Sequence, residues 1–166
     1  MMNENIQYPE FFEELEPLLL KAGYDVTYGH FATIRKGRFI ADLLPYHHEV
    51  GNGYHLCFYL IVRTKDLKQL SIMGGMVLAN ALAMNHPGFN IVYHQRGCGF
   101  SLRYHCDLYE PKDILYQLEH VNECNTDLRN DMKKRLPDFI KQFPCSNTPD
   151  KQLVKTLRYL HRWHLE

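Results

Sequence analysis

The sequence predicts an α+β domain built on a five-stranded antiparallel sheet, with helices packed mainly on one face. Three observations carry that expectation. Phe12, Leu15, Leu18 and Leu19 recur at helical spacing between Pro9 and Ala22, with Glu13, Glu14 and Glu16 at other positions, the pattern of a helix with one apolar stripe. From Gly99 to Tyr109 the residues alternate instead. Phe100, Leu102, Tyr104, Cys106 and Leu108 fall on one side, and Ser101, Arg103, His105, Asp107 and Tyr109 on the other, which is the signature of a half-buried strand. Between Tyr54 and Arg63 runs an unbroken apolar stretch, Leu56-Cys57-Phe58-Tyr59-Leu60-Ile61, as expected of a central strand covered on both sides.

The other elements fall between these. Gly23 stops the first helix. Asp25 to Arg35, rich in Val, Thr, Tyr, Phe and Ile, reads as one strand. Lys36-Gly37 then forms a hairpin turn, in which Gly37 can take a positive φ, and Arg38 to Pro45 is the next strand. Gly51-Asn52-Gly53 turns the chain into Tyr54–Arg63. Asp66 is placed to cap a helix reaching about Met84, closed by Asn85-His86-Pro87-Gly88. Phe89 to Gln95 and Gly99 to Tyr109 form a hairpin through Arg96-Gly97-Cys98.

Pro111 fits the first turn of a long helix marked by Ile114, Leu118, Val121, Leu128, Met132 and Leu136, with a break or kink at Pro137. Phe143 to Pro149 reads as a linker, and Asp150 to His164 as a last amphipathic helix carrying Leu153, Leu157, Leu160 and Trp163. The order is α-β-β-β-α-β-β-α plus an extra C-terminal helix. It divides into an α+β domain over 1–136 and a helical extension over 137–166.

Composition narrows the function. The 166 residues hold 19 basic and 19 acidic side chains, a formal net charge of zero, which disfavours broad electrostatic attachment to nucleic acid or an anionic membrane. No apolar run approaches the ~18 residues of a membrane span, and Met1 to Glu10 lacks the apolar core of a signal sequence. The five cysteines are odd in number and form no CxxC. Reduced thiols in a cytoplasmic protein, serving mostly as small apolar fillers, follow from that.

The stretch Met76-Val77-Leu78-Ala79-Asn80-Ala81-Leu82-Ala83-Met84-Asn85 is followed by a short strand, a hairpin, and Asp107-Leu108-Tyr109 leading into a helix. This pattern resembles the YbjN family and the related type III secretion chaperones, over roughly residues 9 to 136. The resemblance implies a small, often homodimeric, chaperone-like domain without known chemistry, one that holds a segment of a partner protein against apolar surface.

Several side chains offer a competing chemistry. His94, Cys98, His105 and Cys106 surround one hairpin and are zinc-ligand types, so a small-ligand or metal-binding domain is the alternative. His105 and Cys106 are strand neighbours, however, and point to opposite faces. His47-His48 with Glu49 lacks a third ligand, and His161 and His164 flank Trp163 at surface positions. Cys98 between Gly97 and Gly99 is the candidate nucleophile, but no local signature accompanies it and a hairpin turn explains both glycines. Gly51-Asn52-Gly53 is not a dinucleotide fingerprint, and no GxxxxGK[ST] is present. Lys133-Lys134-Arg135 stands among Asp127, Asp131 and Asp138, as on a solvated helix face.

Gly75, Ala79 and Ala83 share one helix face and permit a close approach, either to a second subunit or to the chain's own sheet. Adjacent glycines, Gly74 and Gly75, disfavour a helix by roughly 1 kcal/mol each, so something must press on them. The aromatic sheet face holding Tyr54, Phe58, Tyr104 and Tyr28 is the candidate contact surface. The expectation is therefore a non-enzymatic, cofactor-free, protein-binding homodimer.

Overall fold

The apolar stripe of the first helix is buried as its spacing predicts. In the computed structural model, which describes residues 6–47, 53–94 and 99–145, helix α1 spans Pro9–Lys21 and buries Phe11, Phe12, Leu15 and Leu19. It lies on a six-stranded sheet of β1 (Asp25–Tyr28), β2 (Ala32–Lys36), β3 (Phe39–His47), β4 (Tyr54–Arg63), β5 (Phe89–His94) and β6 (Gly99–Leu108). The spatial order is β1-β2-β3-β4-β6-β5, and every neighbouring pair is antiparallel.

The sixth strand corrects the expected count. The run Asp25 to Arg35 is a hairpin rather than one strand. Tyr28 pairs with Ala32, and the Gly29 N–H donates to the Phe31 carbonyl at 3.0 Å across the turn. The next turn follows expectation, with Gly37 at φ 61° between Lys36 and Phe39.

The second helix begins later than Asp66. Lys65–Gln69 is a short 3₁₀ turn capped by Thr64, and Leu70 is extended. Helix α2 spans Ile72–Asn85 and starts at Ser71, whose hydroxyl accepts the Gly74 N–H at 3.0 Å. That contact satisfies one of the free donors of the first turn. Helix α3 runs over Ile114–Gln142 straight through Pro137. Proline frees the carbonyl four residues earlier, here that of Lys133, and both residues lie on the exposed side, where water can serve that group.

The boundary expected at 136/137 thus falls inside a continuous helix. The chain beyond it stays tied to the domain: Ser71 N–H donates to the Phe143 carbonyl at 2.9 Å and Cys145 N–H to that of Gln69 at 2.8 Å. The helix expected over Asp150–His164 lies outside the described residues.

One apolar core joins the three helices to a single face of the sheet, through Phe58, Leu60, Val62, Phe100 and Leu102 from the strands and Leu78, Leu82, Leu118, Val121 and Leu128 from the helices. Helices α2 and α3 are clasped by Asp131, which lies 2.9 Å from His86 Nε2 and accepts from Arg135 Nε at 2.8 Å. Burial pushes the Asp131 carboxyl up, but the hydrogen bonds from His86 and Arg135 prevail and hold it below its ordinary range. Among the described residues no helix is long and apolar enough to cross a membrane.

Candidate functional site on the outer face of the sheet

Period-two alternation sends the even-numbered residues of β4 and β6 to the helices and the odd-numbered ones outward. The aromatics Tyr54, Phe58 and Tyr104 are therefore on the inner face. Phe58 is fully buried. Tyr54 is half-buried beside the rings of Tyr8, Phe11 and His47, and Tyr104 packs on Phe89 and His120. Tyr28 faces Phe12 of α1. These side chains fasten the helices to the sheet, and among the described residues the open face is the opposite one.

The small residues of α2 are also used within the chain. A side chain added at Gly75 would fall inside the Tyr93 ring on β5, and one at Gly74 would meet Phe143 and Leu70. Ala79 is buried and Ala83 half-buried. The helix that glycine disfavours is thus offset by ring packing that only glycine permits.

The outer face carries an array that the β4–β6 register assembles. His55 pairs with Asp107, Cys57 with His105, Tyr59 with Arg103 and Ile61 with Ser101. His55 Nδ1 lies 3.1 Å from Asp107 Oδ1, His55 Nε2 lies 3.2 Å from His105 Nδ1, and His105 Nε2 lies 3.9 Å from Cys57 Sγ. A second line joins Tyr59 Oη to Ser101 Oγ at 3.0 Å and Ser101 Oγ to His94 Nε2 at 2.6 Å. Arg103 lies over the Tyr59 ring. Each member of this array was visible in the sequence, but its assembly depends on strand register, for which no local signal exists.

An Asp-His-His-Cys line invites a catalytic reading, and its electrostatics oppose a standing thiolate–imidazolium pair. Burial pushes the Cys57 thiol up, only partly countered by Arg103. Burial, then His55 and Arg103, push the His105 imidazole down. Both shifts favour the neutral thiol and neutral imidazole over a thiolate–imidazolium pair. Cys106, on the inner face, is pushed up to about 12 by burial, with Asp107 and Cys57 adding to it.

The 94–106 hairpin set is not brought together. His94 pairs with Gly99 at the far end of β6 from His105, a separation of about 20 Å along the strand. Cys106 is on the other face, and Cys98 lies outside the described residues. Among the described residues no cluster of three or more His, Cys, Asp or Glu is arranged to hold a metal ion. His47 is packed between Tyr8 and Tyr54; His48, Glu49, His161, Trp163 and His164 lie outside the described residues.

Around the array the outer face mixes apolar side chains with polar ones, among them Asn90 and Thr33, whose hydroxyl donates to Asp42 Oδ1 at 2.6 Å. Ile40, Tyr46 and Ile61 are 46%, 48% and 43% exposed, and Leu44 and Val92 are half-buried. Outward positions of a solvated antiparallel sheet ordinarily carry polar residues. No family model, no curated protein and no solved structure matches this chain.

Proposed function

We propose that this chain is a non-enzymatic protein-binding domain of chaperone-like build. Its contact surface is the outer face of the sheet, and a second copy of the chain seats there to make a homodimer. The observation that carries this reading is the row of outward aliphatic and aromatic side chains, Ile40, Leu44, Tyr46, Ile61 and Val92, on a face that none of the three helices covers. Exposed apolar groups that cluster mark interaction surfaces, and a self-complementary patch forms a closed two-fold pair.

The polar array fits the same role. His55, His105, Tyr59 and Ser101 already have hydrogen-bond partners inside the chain, so burying them under a partner leaves few groups unsatisfied. Cys57, Cys106 and Cys124 are free thiols, which fits a reducing, cytoplasmic setting.

The test is the solution mass of the full chain by light scattering, beside that of the double variant Ile40→Glu, Ile61→Glu. The expected result is a dimer that becomes a monomer in the variant with an unchanged circular dichroism spectrum. A monomeric wild type removes the homodimer, and a variant that stays dimeric moves the contact to another face.

A further inference from the structure

A cavity of about 550 Å³ opens on the helix side of the sheet, between α3, the β2–β3 turn and the end of β4. Its volume lies within the range of small-molecule sites. Three cations line it from that side, Arg38, Arg129 and Lys133, against one carboxylate, Asp66, while Arg63 borders it from an outward position of β4. In a chain whose charges balance overall, this is a local surplus of two positive charges, three minus one.

Arg129 is the informative member. Its guanidinium is half-buried, with Nε donating to Asn125 Oδ1 at 3.3 Å and Nη2 donating to the Ile61 carbonyl at 3.1 Å. Asn125, which orients it, is 5% exposed. Both acceptors are neutral, and among the described residues no carboxylate pairs with Arg129. A cation withdrawn from water ordinarily finds an anion. Arg129 is instead held by backbone and amide oxygens in a fixed pose at the wall of a cavity, with further N–H donors on its fork.

We infer that this cavity binds a small phosphomonoester. The guanidinium fork matches phosphate oxygens. A phosphomonoester carries roughly −1.5 to −2 charge at neutral pH, closer to the surplus than the single charge of a carboxylate. The rest of the lining suits an organic body rather than free phosphate. Phe39, Leu136 and Ile140 give an apolar wall, and Asn122 and Asn130 offer both donors and acceptors. The site faces away from the proposed protein contact, so each stands or falls without the other.

The experiment is calorimetric titration of the full chain with AMP and glucose 6-phosphate, beside inorganic phosphate, adenosine and glucose. At least one ester is expected to bind more tightly than inorganic phosphate, with no binding of adenosine or glucose. Arg38→Ala and Lys133→Ala remove exposed side chains without touching the core, and each is expected to weaken the ester about tenfold. Arg129→Lys keeps the charge and loses the fork, and should weaken it further.

Three results overturn the inference. One is the absence of heat from both esters at millimolar concentration with the protein folded. Another is adenosine binding as well as AMP. The third is ester binding that survives in Arg38→Ala and Lys133→Ala. Inorganic phosphate binding as tightly as the esters overturns the assignment of an organic body.

Discussion

The two faces of the sheet are built from the same strands and obey opposite rules. On the inner face the side chains pack against one another and the helices above them. Phe58 meets Tyr104, Tyr104 meets Phe89 and His120, and Tyr93 fills the space that Gly75 leaves open. On the outer face the side chains answer one another, His55 to His105 and Ser101 to Tyr59, and the aliphatic residues between them stand half in water. The inner face uses volume to hold one packing arrangement. The outer face holds its polar groups in place from within and leaves its apolar groups available. Stability should therefore be concentrated on one side of a sheet about one residue thick, and recognition on the other.

The largest expected contrast compares neighbours three positions apart on β4. Phe58→Ala opens a cavity under the helices and should cost about 3–5 kcal/mol, measured by urea unfolding. Ile61→Thr keeps a β-branched side chain on the outer face and should change monomer stability by about 0.5 kcal/mol or less. Any larger loss at Ile61 should grow with protein concentration, as linkage to a dimer requires. Equal, concentration-independent losses at both positions would erase the distinction between the faces.

A smaller effect is expected at Gly75. Gly75→Ala forces a methyl group into the Tyr93 ring, and overpacking of that kind costs about 1–3 kcal/mol. Tyr93→Ala is destabilising by itself, but it clears the space the methyl needs. The double variant should then be more stable than the sum of the single losses predicts, and a double-mutant cycle reads that coupling. Strict additivity would mean that the ring and the glycine do not press on each other, and that the small face of α2 serves something outside the chain.

What the sequence revealed and what it concealed divide along similar lines. Periodicity is local, so α1, β4, β6 and the two-sided alternation of Phe100 to Leu108 were legible, but not which side met the helices: Tyr54, Phe58 and Tyr104, expected as a contact surface, lie inward. Phe31 hid a turn: an aromatic residue beside Gly29 and His30 made two short strands read as one. At the second helix Asp66 drew the cap, although Ser71, three residues before Gly74, makes the capping hydrogen bond. Pro137 was overweighted, because its effect depends on whether the freed carbonyl meets water or core. The candidate sites were least legible. His55 and His105 are 50 residues apart, and Ile61 and Arg129 are 68 apart; only register and helix docking bring them together.

The smallest expected effect concerns how the sheet's ionisable groups shape the pH dependence of stability. The His105 imidazole is pushed below its ordinary value of 6.5 by burial first, then by His55 and Arg103. Below that value the unfolded chain takes up a proton that the folded chain resists, so stability should fall as the pH drops from 6.5 and level off beneath the folded value. Cys57 and Cys106 are pushed above the ordinary thiol value of 9.0, both chiefly by burial. The folded chain then keeps protons that the unfolded chain releases, so stability should fall as the pH rises through 9.0. Thermal midpoints between about pH 5 and pH 10 should trace a plateau flanked by these two declines. His105 is exposed enough for solvent to screen much of its contribution, so the acid decline should be the gentler one. His105→Gln should flatten the acid side alone, and Cys106→Ala should lessen the alkaline decline alone, leaving the share of Cys57 and Cys124. An acid side left unchanged by His105→Gln would mean that the imidazole is as free on the folded sheet as in the unfolded chain, and that the outer array does not hold it neutral.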